Sequence, residues 1–109
     1  MSQGTKRRWE EMRTDETRHV EEVLRKVFPG TDAYRYNSAS IRVRVIDDRF
    51  EGKSTDERDA LIEPLIEQLP RATQADVMNL LTLAPHETSD SFKKSLANQE
   101  FEDPTDSML

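Results

Sequence analysis

The clearest periodicity in the chain lies between Ser40 and Leu69. Ile41, Val43 and Val45 alternate with Arg42 and Arg44, the period of two that a strand covered on one face requires. Asp47-Asp48-Arg49-Phe50-Glu51-Gly52-Lys53 follows as a tight connection in which Gly52 is free to take positive φ. The spacing then becomes helical. Ser54 supplies a cap, Glu57 closes a capping box, and Leu61, Ile62, Leu65, Ile66 and Leu69 form the apolar stripe. Pro64 has no amide hydrogen and its ring opposes the carbonyl of Ala60, which predicts a kink or a break at Glu63, with Pro70 closing the second half.

Upstream, Thr14 caps a first helix whose apolar positions are Val20, Val23, Leu24, Val27 and Phe28. Asp15 and Glu16 suit its positive start, Arg25 and Lys26 its negative end, and Pro29-Gly30 stops it. From Ala33 to Tyr36 the pattern alternates again, with Tyr34 and Tyr36 on one side and Arg35 on the other. The turn Asn37-Ser38-Ala39-Ser40 makes this segment and the next strand an antiparallel hairpin. Residues 74–84 fit a helix through Val77, Leu80, Leu81 and Ala84, or a strand through Val77, Leu81 and Leu83. A lone hairpin is marginal in water and needs a third strand, so strand is preferred. Pro85 then opens a last helix with Phe92 and Leu96 on its apolar side.

These elements predict an α+β domain in the order α-β-β-α(α)-β-α, a two-layer sandwich in which helices cover one face of a three-stranded mixed sheet. The folded part is expected over residues 14–97, with a flexible N-terminal arm at 1–13 and an acidic flexible tail at 98–109. Trp9 within the arm is expected to dock on the domain.

Composition narrows what such a domain does. The 109 residues are 34% hydrophobic and 35% charged, with a formal charge of -6, which opposes nucleic acid and anionic membranes. No cysteine is present, so disulfides and thiolate chemistry are excluded. No apolar run reaches membrane-spanning length and no hydrophobic leader precedes the first helix, so the expected location is cytoplasmic. His19 and His86 lack any companion at metal-ligand spacing, and Asp47, Asp48 and Glu51 lack calcium-loop spacing and read as a turn. Glu51-Gly52-Lys53-Ser54 lacks the first glycine and the length of a phosphate loop. The chain is therefore expected to be no enzyme and to hold no cofactor or metal. Arg35, Arg42 and Arg44 are assigned to the open sheet face, where they either stand solvated or form an anion or nucleic-acid contact.

An alternating strand, a Phe-x-Gly turn and an arginine early in the next helix, here Val43, Val45, Phe50, Gly52 and Arg58, resemble the BolA family over roughly residues 15–84. The resemblance implies a topology similar to class II KH domains. It also implies association with monothiol glutaredoxins, iron–sulfur cluster handling and, in bacteria, stress-linked transcription. The family carries a cluster-ligating histidine near the start of the last strand and a histidine after the helical arginine. Gln74 and Asp59 stand in those neighbourhoods here, and their oxygen and amide groups suit iron less well than imidazole does. The function expected is a non-catalytic adaptor, a monomer or weak dimer. It would dock another protein, such as a monothiol glutaredoxin, through Phe50, Gly52, Lys53 and Arg58. The alternative is a KH-like nucleic-acid binder using the three arginines, although no Gly-x-x-Gly clamp is present.

Overall fold

Strands β1 (Thr31–Asn37), β2 (Ser40–Ile46) and β3 (Val77–Leu83) lie side by side in that order in the computed structural model, which describes residues 8–108. β2 is the middle strand, antiparallel to β1 and parallel to β3. A parallel neighbour requires a crossover, and two helices provide it: α2 (Thr55–Ile66) and α3 (Arg71–Asp76). The ambiguous stretch is thus shared, since residues up to Asp76 coil and those from Val77 extend. The α+β class and the mixed three-stranded sheet are those expected.

One sheet face carries the main core. Ala33, Ile41, Val43 and Val45 meet Val20 and Leu24 of α1 (Asp15–Arg25), Ile62 of α2, and the flanking Phe28, Phe50 and Leu69. Each Val, Leu, Ile or Phe side chain of this set contributes about 1.5–3 kcal/mol of burial before chain entropy is counted. Capping fixes where the helices begin. Thr14 and Thr17 exchange hydrogen bonds at the start of α1, and Ser54 and Glu57 do so at the start of α2. Gly52 takes a φ of 73° in the connection between β2 and α2.

Three local expectations are corrected. Pro64 does not break its helix, because it lies two residues before the end of α2, where the exposed carbonyl of Ala60 can turn to water. Val27 and Leu61 leave the expected stripes and are each 42% exposed. For Val27 the cause is that α1 ends at Arg25. On β3, Met78 is skipped between the pairs Ile41↔Val77 and Arg42↔Asn79. This bulge puts Val77 and Leu80 on the main core and Leu81 on the opposite face, so Val77, Leu81 and Leu83 do not share a side.

The second sheet face is also covered. Helix α4 (Phe92–Glu102) and a 3-10 turn over Arg8–Met12 pack there, joining Trp9, Tyr34 and Phe101 in a second apolar cluster. The Trp9–Phe101 and Tyr34–Phe101 ring centroids lie 5.5 and 4.8 Å apart. Trp9 docks as expected. The expected inward positions of α4 do not: Phe92 and Leu96 are exposed, whereas Asn98 and Phe101 are buried. The proposed boundary after residue 97 therefore cuts through a packed helix. Beyond it Pro104 is fully buried, the Tyr36 hydroxyl donates to the Thr105 carbonyl at 2.6 Å, and Asn37 donates to the Ser107 hydroxyl at 3.1 Å. Residues 1–7 of the expected N-terminal arm lie outside the described residues.

Candidate functional site

The arginines assigned to an open face prove to be internal, and they do not share a face. Tyr34 pairs with Arg42 and Arg35 with Ile41 across the hairpin, so the period of two turns Arg35 toward the main core and Arg42 and Arg44 away from it. Arg35 pairs with Glu16 of α1 and, at 2.9 Å, with Asp76 of α3. Arg42 stacks 3.7 Å from the centre of the Tyr36 ring and pairs with Glu100 of α4 at 2.8 Å. Burial opposes ionisation of Glu100, but hydrogen bonds from Arg42 and Thr105 outweigh it and hold its carboxyl below the usual range. Arg44 is 4% exposed. It donates to Asp32, Asn98 and Glu102 at 2.7–2.8 Å, and its guanidinium lies 4.5 Å from the centre of the Phe101 ring. The face carrying Arg42 and Arg44 thus closes on itself through α4, whose carboxylates engage both guanidinium groups.

The four residues expected to contact a partner separate in a similar way. Phe50 is completely buried, stacked on Phe28 with ring centroids 5.6 Å apart. Arg58 is 3% exposed and binds both carboxylate oxygens of Glu87, at 2.6 and 3.1 Å. It also donates to the carbonyls of Lys53 and Thr82, tying the turn before α2 to the end of β3. Glu87 accepts further bonds from Lys94 and from the amide of Ala84. The Arg58 guanidinium is the chief reason its carboxyl falls to about 2. Only Gly52 and Lys53 of the four remain exposed. A Phe-x-Gly turn and a following arginine here hold the fold together.

The remaining acidic groups have a different neighbourhood. His86 faces Glu51 at 3.0 Å, and Asp47 accepts from both the amide and the guanidinium of Arg49, which lowers its pKa. Among the described residues no group of three histidines or carboxylates is placed to hold a metal, and no helix is long and apolar enough to cross a membrane. Between α2 and β3, however, runs an open groove of about 400 Å³. Its floor is Ile66, Val77 and Leu80, and its wall is Asp56, Asp59 and Glu63. The three carboxylates recur at i, i+3 and i+7, so the helix places them on one stripe. None of them has a cationic partner among the described residues. Burial pushes the Asp59 carboxyl above its usual range, with Asp56 and Glu63 adding repulsion, and its Oδ1 is buried with no hydrogen-bond donor.

No family model, curated protein or solved structure matches the chain. Function must therefore be argued from the groove itself. Sequence reasoning named Ile66, Val77 and Leu80 as core positions and Asp59 by its place in the motif, but passed over the stripe that Asp59 shares with Asp56 and Glu63, because carboxylates on a helix read as its wet face. The spacing of Asp56, Asp59 and Glu63 was the available signal. What it lacked was the apolar floor, which comes partly from β3 and depends on the Met78 bulge. A second hollow, about 430 Å³, is lined by Leu96, Gln99, Glu100, Glu102 and Asp103. All its walls come from α4 and the residue that follows it, so no second element closes it.

Proposed function

We propose that this protein is a non-catalytic interaction module of BolA-like architecture, which docks another protein along the groove between α2 and β3. The observation that carries the reading is that one open groove joins a helical stripe of three unpaired carboxylates to half-buried apolar side chains. Arg42, Arg44 and Arg58 consume the carboxylates around them, whereas Asp56, Asp59 and Glu63 meet no cation among the described residues and stand beside half-buried apolar side chains. β3 is also an edge strand, bonded to β2 on one side only, and Met78 beside the groove is 68% exposed. The BolA resemblance supports the location, because positions 59 and 74, the neighbourhoods of that family's histidines, both line the groove. It does not support iron ligation, since Asp59 offers a carboxylate and the Gln74 amide donates to the Leu69 carbonyl at 2.7 Å. A monothiol glutaredoxin is the first partner to try.

A photo-crosslinking residue at position 78, introduced into the full chain in its native cells, tests the reading, with position 92 on the exposed side of α4 as control. A protein adduct from position 78, absent from position 92, is the expected result. Equal labelling at both positions, or no adduct from position 78, overturns the docking site.

A further inference from the structure

The chemistry of the groove points to the kind of segment that fills it. We infer that the occupant is a basic stretch of another protein, with at least two lysines or arginines flanking an apolar side chain. This inference rests on the docking reading above and specifies its ligand.

The three carboxylates of the α2 stripe have no cation among the described residues, although the rest of the molecule pairs arginines with acids repeatedly. A cation arriving from outside would relieve the repulsion among Asp56, Asp59 and Glu63. The floor below is apolar, so binding energy comes from a buried side chain on Ile66, Val77 and Leu80, while the ion pairs select the partner. Spacing allows two cations around one apolar side chain. Asp56 and Glu63 lie seven residues apart on the stripe, a rise of about 10.5 Å. Residues i and i+4 of an extended chain are about 13 Å apart on one face, with residue i+2 between them on the same face.

An extended segment also suits the border of the groove. The outer edge of β3 is not covered by a fourth strand, and Arg58 engages it only at the Thr82 carbonyl. A chain lying beside Asn79 to Leu81 can therefore bond to the backbone and still direct alternate side chains toward α2. A second copy of this protein is a poor occupant. It would bring its own acidic stripe and a charge of -6 against the first. The same sign opposes nucleic acid at this groove.

The test is an array of nine-residue peptides in which pairs of lysine or arginine at varied spacing flank Leu, Val or Ile, with glutamate-substituted copies as controls. The full-length labelled chain should bind the cationic apolar peptides and not the controls. The variant D56N/D59N/E63Q should bind them about tenfold more weakly, the loss of two or three rim ion pairs, with its fold checked by circular dichroism. Ile66→Asp, also checked for folding, should lose binding to the same peptides. Binding that ignores peptide charge, survives the triple neutralisation, or appears only as self-association overturns the inference. The crosslink from position 78 separates the two readings: an adduct that persists in the triple variant keeps the docking site and removes the basic ligand. Loss of the adduct from the unmodified chain removes both.

Discussion

At the scale of single residues, the molecule is held by arginines whose charges are consumed inside the fold. Arg58 is the clearest case, because it holds Glu87 with two bonds and two backbone carbonyls with others. A buried pair of this kind is not a net source of stability compared with apolar packing, but removing one member leaves the other charge stranded. The acid side of the pair sets a pH dependence. The folded-state pKa of Glu87 is about 2, below its ordinary value of 4.5, so the stabilisation is fully present above the higher value and fades as pH falls toward the lower one. Glu87→Gln is expected to cost about 2–3 kcal/mol at neutral pH. The variant should also lose less stability than the parent between those two pH values. Urea unfolding at a series of pH values checks both. Arg58 was legible in the sequence as a special position. Its role was misassigned, because nothing local announces that Glu87, twenty-nine residues away, is its partner.

At the scale of elements, local chemistry was a dependable guide to where helices begin and a poorer one to how they end. The Thr14 and Ser54 caps are both found, since a cap depends on residues within one turn. The effect of Pro64 depends instead on what surrounds the freed carbonyl. In α2 the exposed Pro64 and Ala60 leave that carbonyl open to water, and the helix continues past the proline for two residues. Pro64 still forfeits one backbone hydrogen bond there, so Pro64→Ala is expected to stabilise the protein by about 1–2 kcal/mol, less than at a mid-helix site. A rise in melting temperature with unchanged far-ultraviolet circular dichroism would be the observation; a fall would mean that the proline packs usefully. The bulge at Met78 belongs to this scale as well. Strict alternation was the natural assumption for β3, and one inserted residue moved Val77 and Leu81 to different faces.

At the scale of the whole molecule, the segments that look least foldable finish the structure. Residues 98–109 read as an acidic tail because charges outnumber apolar groups, yet Phe101 is 3% exposed and Glu100 and Glu102 neutralise Arg42 and Arg44. Truncation after Ala97 uncovers Tyr34, Trp9 and both arginines together. It is expected to cost several kcal/mol, of the order of an aromatic core deletion plus a broken buried ion pair, and to leave a chain that binds hydrophobic dyes. Amide peak dispersion in a proton–nitrogen correlation spectrum would report it. A truncated chain with native dispersion and unchanged unfolding free energy would mean that the second face stands without its cover.

The sequence by itself determined the alternation of β2, the helical spacing and caps of α1 and α2, the hairpin turn and the existence of a helix-covered face. These follow from interactions within a few residues, which composition and spacing encode directly. Only the tertiary structure decided which face each arginine occupies, what covers the second face, and which carboxylates are left without cations. Those outcomes depend on strand register and on pairs separated by tens of residues, such as Arg44 with Glu102 or α2 with β3. A one-residue shift in register reverses them while leaving the local pattern unchanged.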